Sequence, residues 1–114
     1  MFDYFEIEEF DCQETGENEM NYQFIHRLDK LREACGFPFV ITSGYRSPNH
    51  SIEAAKSTPG QHTQGIAADI QVVSALRRRQ LLSEAFKLGF SGVGVAKGFI
   101  HVDDRLGPPI VWCY

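Results

Sequence analysis

The chain has 114 residues, of which 43% are hydrophobic and 23% charged, and its formal net charge at pH 7 is −4. This length suits one domain spanning 1–114, and the acidic balance argues against a protein whose main partner is nucleic acid. No apolar run approaches the length of a membrane-spanning helix, so no membrane partner is expected.

The first half of the chain predicts a helix, a strand and a long loop. The helix is expected over 18–36 because apolar residues recur there at helical spacing. A short apolar run over 39–43 predicts a buried strand. The segment 44–60 is polar and longer than a simple connection, which indicates a functional loop with one helical turn over 53–56.

The second half predicts a strand, a helix and three closely spaced strands. The first strand is expected over 65–73, and the helix runs from a cap at Ser74 to Gly89. Its apolar side is formed by Leu76, Leu81, Leu82, Ala85, Phe86 and Leu88. The last three strands are expected over 92–95, 99–103 and 110–114. This order favours an α+β fold, a small single domain with a mixed or mostly antiparallel sheet backed by helices.

Four polar residues stand where a plain core would place apolar ones, and one of them is Arg46, which follows the first predicted strand. Asp69 and His101 each lie inside a short apolar strand, and His62 lies just before the strand that carries Asp69. A buried carboxylate is costly unless it is paired or bound to a cation. Two His and one Asp form a catalytic zinc set with a fourth position open. Each residue taken singly also has a simpler interpretation. His62 would fit an exposed loop histidine, and His101 would fit a hydrogen-bonded strand residue. Asp69 would fit an ion-pair partner of Arg46.

Three segments of the chain carry a family resemblance. They are Ser43-Gly-Tyr-Arg-Ser-Pro-Asn-His50, Gln61-His-Thr-Gln-Gly-Ile-Ala-Ala-Asp-Ile70 and Phe99-Ile-His-Val-Asp-Asp-Arg105. Together they resemble the zinc D-Ala-D-Ala carboxypeptidase family of metallopeptidases (peptidase family M15), in its small single-domain phage and bacterial branch. The resemblance covers nearly the whole chain. It implies the fold shared with the hedgehog signalling domain, in which a small antiparallel sheet holds the zinc.

The resemblance also implies roles for particular residues. The ligands of one zinc ion fall on His62, Asp69 and His101. Substrate binding falls on Arg46, with Ser43 and Tyr45 beside it in the same loop. The Arg46 guanidinium is suited to pair with a C-terminal carboxylate or to polarise the scissile carbonyl, and it is expected to take part in catalysis.

The general base does not follow directly from the family pattern. Many members carry an acidic residue three positions before the last zinc histidine, and this chain has Gly98 there. Strand alternation places Asp103 on the same side as His101, so Asp103 is expected to be either the base or a residue that orients a zinc-bound histidine. His50 is a further candidate for proton transfer. Many family members carry a serine two residues before the first zinc histidine, and this chain has Gly60 at that position.

The resemblance implies zinc-dependent hydrolysis of peptidoglycan stem peptides, as a carboxypeptidase or an endopeptidase, in which the zinc activates a water molecule. Two other classes stay open: a zinc-containing binding module that does not cleave, and a phage structural or assembly protein. The acidic amino terminus lacks the pattern of a secretory signal, which predicts a cytoplasmic protein. Release by lysis or transport in a phage particle would bring it to a cell wall.

Overall fold

Apart from a short 3-10 helix near the amino terminus, which the sequence did not predict, the helices and strands follow in the predicted order, and the helical turn expected over 53–56 lies two residues earlier. The computed structural model describes residues 2–56 and 60–114, so the predicted loop over 44–60 is described except for 57–59, and residue 1 of the predicted domain also lies outside the description. The elements are a 3-10 helix (Ile7–Phe10), α1 (Tyr22–Cys35), β1 (Val40–Ser43), α2 (Ser51–Ala54), β2 (Ala67–Gln71), α3 (Ala75–Leu88), β3 (Gly92–Val95), β4 (Phe99–Asp103) and β5 (Ile110–Cys113). Within the described ranges, no helix is both long and apolar enough to cross a membrane.

Side-chain caps and glycines set the ends of both long helices. The side chain of Asn21 accepts a backbone N–H in the first turn of α1, and Ser74 does the same for α3. Gly36 and Gly89 end these helices in the left-handed conformation. The predicted start of α1 at residue 18 is wrong by four residues, because the side chain of Asn18 instead ties together the turns that precede the helix.

In the described part of the chain, five strands form one sheet in the order β1-β2-β4-β3-β5. All neighbouring pairs are antiparallel except β3 and β5, which are parallel. The structure therefore confirms the predicted α+β class with a mostly antiparallel sheet. The prediction of a buried first strand is wrong: β1 forms an edge of the sheet, and Val40 is 55% exposed there.

One face of the sheet packs against α1 and α3. The sheet contributes the buried residues Ala68, Ile70, Val93, Ile100 and Val102. The helices contribute Phe24, Ile25, Leu28, Leu31, Leu81 and Ala85. The predicted apolar side of α3 is too broad, because Leu76 and Phe86 are 78% and 53% exposed. Only the narrow stripe of α3 that carries Leu81 and Ala85 is fully buried.

The opposite face of the sheet carries a row of directly paired residues, one from each strand. In sheet order the row is Ser43, Asp69, His101, Gly94 and Trp112. Directly paired residues point to the same face of a sheet. Two of the predicted metal ligands are therefore neighbours in the central strands, on the face turned away from the helical core.

The segment before α1 is bonded to the two loops that flank this row. The backbone N–H of Tyr45 donates to the carbonyl of Phe10 (2.8 Å), and that of Asn21 donates to the carbonyl of Gly65 (2.9 Å). At Gly44, a Cβ would lie 2.6 Å from the Cα of Phe10, so the close approach of these backbones requires glycine. Residues 2–21, which we call the strap, are thus hydrogen-bonded to the loops that precede Arg46 and follow His62.

Candidate metal centre

The three residues proposed as metal ligands lie together in the structure, and all three are buried. Their ligand atoms lie within 4.8 Å of one another. Oδ1 of Asp69 is 2.9 Å from Nδ1 of His101 and 3.3 Å from Nε2 of His62. The group combines two imidazoles with one carboxylate, the donor types that suit zinc.

Local backbone structure explains how residues 39 positions apart in sequence meet. Asp69 and His101 face each other directly across β2 and β4. His62 enters from the turns over 61–65, where Gly65 has a positive φ of 74° and lets the chain reverse before β2. The rings of His62 and His101 then meet edge to face, with centroids 5.1 Å apart.

The outer nitrogen of each imidazole has an acceptor of its own. Nδ1 of His62 lies 2.8 Å from the carbonyl oxygen of Gly44, and Nε2 of His101 lies 2.6 Å from Oδ2 of Asp103. Neither acceptor carries a hydrogen, so each outer nitrogen must donate one. This fixes which nitrogen of each ring faces Asp69, and it is the usual arrangement of metal-bound histidines.

These residues fit a metal ion of the size of zinc. Two donors that each lie about 2.1 Å from a tetrahedral ion are about 3.4 Å apart. The 3.3 Å between Asp69 and His62 matches this separation, and the 2.9 Å between Asp69 and His101 is about 0.5 Å shorter. Burial alone would raise the pKa of Asp69, but hydrogen bonds from His101 and His62 hold it well below its usual range. A cation that binds here would replace the hydrogens that the two histidines give to Asp69, and the carboxylate would stay ionised.

Asp103 lies on the far side of His101 from Asp69. Its side chain is fully buried and also accepts hydrogen bonds from Nε (3.0 Å) and Nη2 (2.7 Å) of Arg105. Burial would raise its pKa, but His101 and Arg105 keep it well below the usual range. The carboxylate packs directly over Gly92, where a side chain would collide with it. This placement fits the orienting role better than that of a base.

Arg46 reaches the metal centre from the loop after β1. Its Nε donates to Oγ of Ser43 (3.2 Å), and its Nη1 donates to Oε2 of Glu53 (3.3 Å). Nη2 lies 3.8 Å from Oδ2 of Asp69, so the ion pair considered for these two residues is also present. Arg46 thus lies beside the candidate ligands, and Ser43 supports it there.

Two other residues of this loop lie elsewhere. Tyr45 is 2% exposed, and its hydroxyl donates to Glu19 (3.0 Å). Burial and the Glu19 carboxylate raise the pKa of Tyr45 to about 12. His50 caps α2 through Nδ1, and its Nε2 lies 3.2 Å from Glu14. These placements do not fit substrate binding by Tyr45 or proton transfer by His50 at the metal centre.

A cavity of about 280 Å³ opens onto the three candidate ligands. Its cationic lining residues are Arg46, Lys56 and Arg105, and its aromatic ones are Phe99, Trp112 and Tyr114. The ring of Trp112 lies 5.2 Å from that of His101 and under the guanidinium of Arg105, 4.8 Å away. A Cβ at Gly94 would come within 2.7 Å of the Trp112 ring, so this glycine makes room for the tryptophan.

Sequence reasoning did not find most of this lining. Trp112, Lys56 and Arg105 carry no metal-ligand pattern of their own. One usable signal was the alternation in Gly92-Val-Gly-Val, which leaves one face of β3 without side chains. The face of β3 without side chains lies beside β4, which carries His101, and it leaves space for the ring of Trp112.

The comparison with protein families agrees with this geometry. The model of the family described as Peptidase M15 matches residues 3–103, a range that contains all three candidate ligands. No curated protein matches the chain. Peptidases of the M15 family depend on zinc, and the buried histidines and aspartate supply a group that can bind a metal. The chain belongs to the peptidase M15 family.

Proposed function

We propose that this protein is a zinc-dependent peptidase that hydrolyses bonds in peptidoglycan stem peptides, of the D-Ala-D-Ala carboxypeptidase or endopeptidase type. The buried group of His62, Asp69 and His101 carries the proposal, because it opens onto a cavity in a member of the M15 family. A metal at this position would lower the pKa of a bound water and polarise a carbonyl.

The residues around the ligands have two further roles, stabilising charge on the substrate and orienting His101. Arg46 contacts Asp69 and lines the cavity, so its guanidinium is placed to stabilise negative charge that develops on the scissile carbonyl oxygen. Asp103 holds the Nε2–H of His101 and thereby aims Nδ1 of the same ring at the metal position. Arg105 in turn fixes Asp103 through two parallel hydrogen bonds.

A non-catalytic zinc-containing binding module is the second candidate function. It is favoured by the position of Asp103, whose carboxylate is already bonded to His101 and Arg105. It is also favoured by Gly98, which stands where many family members carry an acidic base. Such a module would bind the same cell-wall peptides with its metal in place and leave them intact.

The decisive experiment is a digest of purified peptidoglycan with zinc-loaded protein, followed by mass spectrometry of the products. We expect wild type to shorten or separate stem peptides, and His62→Ala and His101→Ala to lose both bound zinc and activity. His26→Ala is the matched control, because His26 is exposed on α1. Stoichiometric zinc in both ligand variants would refute the metal site, and intact peptidoglycan beside zinc-loaded wild type would favour the binding module.

A further inference from the structure

A buried carboxylate, Glu53, organises the cationic side of the cavity. Its side chain is only 1% exposed, although it lies in the short helix α2 within the polar segment 44–60. Oε1 accepts from the backbone N–H of Gly60 (2.9 Å) and the hydroxyl of Thr63 (3.1 Å). Oε2 accepts from Nη1 of Arg46 (3.3 Å) and Nζ of Lys56 (2.9 Å). Both cations are therefore held by one oxygen and lie side by side.

The charge of Glu53 is secure in this setting. Burial would raise its pKa, but the hydrogen bonds from Gly60, Lys56 and Thr63 lower it to about 2. A carboxylate that stays ionised at every physiological pH keeps both of its cationic partners in place. A Cβ at Gly60 would come within 2.9 Å of Nζ of Lys56, so the glycine in place of the family's usual serine leaves room for the ammonium.

The two cations differ in how much of their bonding capacity is already used. Arg46 is 18% exposed, donates to Ser43 and Glu53, and lies beside Asp69 at the metal position. Lys56 is 41% exposed, and within residues 2–56 and 60–114 its ammonium has Glu53 as its partner. An ammonium has three N–H donors, so Lys56 keeps donors for a ligand in the cavity that it lines.

We propose that Lys56 binds the free C-terminal carboxylate of the peptide substrate, while Arg46 faces the scissile carbonyl, which makes the protein a carboxypeptidase. This inference rests on the proposed peptidase function. In a peptide cut before its last residue, the carboxylate lies one residue, about 3.5 Å, beyond the scissile carbonyl. Two cations that share one oxygen of Glu53 match such neighbouring groups. An internal peptide bond would bring no charge to the ammonium.

The test compares two uncharged-side-chain peptides that differ only at their end. One is an N-acylated tripeptide ending in D-Ala-D-Ala with a free carboxylate, and the other is its C-terminal amide. We expect zinc-loaded wild type to prefer the free acid, and Lys56→Gln to raise KM for it about five- to tenfold while KM for the amide stays unchanged. Lys56→Arg should keep most of the preference, because it keeps the charge.

Lys87→Gln is the matched control, because Lys87 also pairs with a glutamate three residues earlier (Nζ to Oε1 of Glu84, 3.3 Å) and lies in α3. It removes the same charge and should leave both KM values unchanged. Equal KM values of Lys56→Gln and wild type on the free acid, or an equal rise on both peptides, would overturn the role of Lys56 while leaving the peptidase function intact.

A binding measurement separates this inference from the proposed function. The affinity of N-acetyl-D-alanine for zinc-loaded protein can be measured by calorimetry, with N-acetyl-D-alanine amide as the reference. We expect Lys56→Gln to weaken the acid and not the amide. If wild type cleaves neither tripeptide, the proposed peptidase function fails, and this measurement alone then supports or overturns Lys56 as the carboxylate anchor.

Discussion

At the scale of single residues, His101 is the most constrained side chain of the centre. Its Nδ1 faces Asp69, its Nε2 faces Asp103, and Trp112 packs near its ring. Burial would lower the pKa of His101, but the two carboxylates raise it. The ring can therefore rotate very little, and a metal would meet a ligand that is already aimed.

Replacing Asp103 tests whether this aim matters. Asp103→Asn keeps the shape of the side chain but removes the charge that holds Nε2–H of His101, so we expect zinc affinity to fall about 10- to 100-fold. Competition with a chromophoric chelator measures it. Asp104→Asn is the control, because Asp104 pairs with Arg27 (2.9 Å). Normal zinc affinity with lost turnover would instead assign Asp103 to proton transfer.

The sequence revealed those site residues that violate a pattern. Asp69 and His101 could be found because a charged or polar group inside an apolar strand needs an explanation. The role of Asp103 could not be settled, because strand alternation gives a face but not the ring nitrogen that a carboxylate meets. Glu53 and Lys56 were not recognised as site residues, because the polar segment 44–60 has no periodic apolar pattern and only tertiary contacts show that Glu53 is buried.

At the scale of elements, β3 shapes the metal centre because two of its four residues are glycines, which have no side chain. Gly92 lies under Asp103 and Gly94 lies under Trp112, so both glycines leave space that side chains of neighbouring strands occupy. Val93 and Val95 alternate with them and face the core. A strand that fills one face and leaves the other open lets β4 and β5 bring His101 and Trp112 into contact.

Gly94→Ala tests this arrangement in a direct way. A methyl group there would lie 2.7 Å from the ring of Trp112, so we expect the ring to be displaced and the protein to lose about 1–3 kcal/mol of unfolding free energy. Trp112 is the single tryptophan of the chain, so its fluorescence spectrum reports the movement. Gly98→Ala is the control, because a Cβ there meets nothing within 4 Å. Identical spectra for both variants and wild type would contradict the prediction.

The positions of the helices and strands could be predicted from the sequence better than their burial could. The strong helical periodicity and the glycine stops located α1 and α3. The burial of β1 was overestimated because an apolar run does not reveal whether a strand lies at an edge, which depends on the order of all five strands. The same limit explains α3, where Leu76 and Phe86 continue the apolar pattern beyond the surface that the sheet and α1 can cover.

At the scale of the whole molecule, the fold joins distant parts of the chain at one point. The metal centre draws on the turns at 61–65, on β2 and on β4, and Arg46 reaches it from the loop after β1. In the unfolded chain these donors are far apart and compete with water. A metal that binds the assembled group therefore stabilises the folded state over the unfolded one.

Thermal unfolding with and without zinc measures this linkage. Zinc at about 100 times its dissociation constant should add about 2.7 kcal/mol, which raises the Tm of a domain of this size by roughly 10 °C. A chelator should reverse the shift, His62→Ala should abolish it, and His26→Ala should retain it. A wild-type Tm that is the same with zinc and with chelator would show that folding and metal binding are not coupled here.

The strap is hydrogen-bonded to both loops that carry side chains of the metal centre, the loop with Arg46 and the loop with His62. Phe10 holds Tyr45, next to Arg46, and Gly65, three residues after His62, holds Asn21. Local opening of the strap would release both contacts, so residues 2–21 and the loops of the centre belong to one cooperative unit. Their backbone amides should accordingly exchange with solvent at similar rates, and a partner that docks on the strap would change the rigidity of the metal centre without touching it.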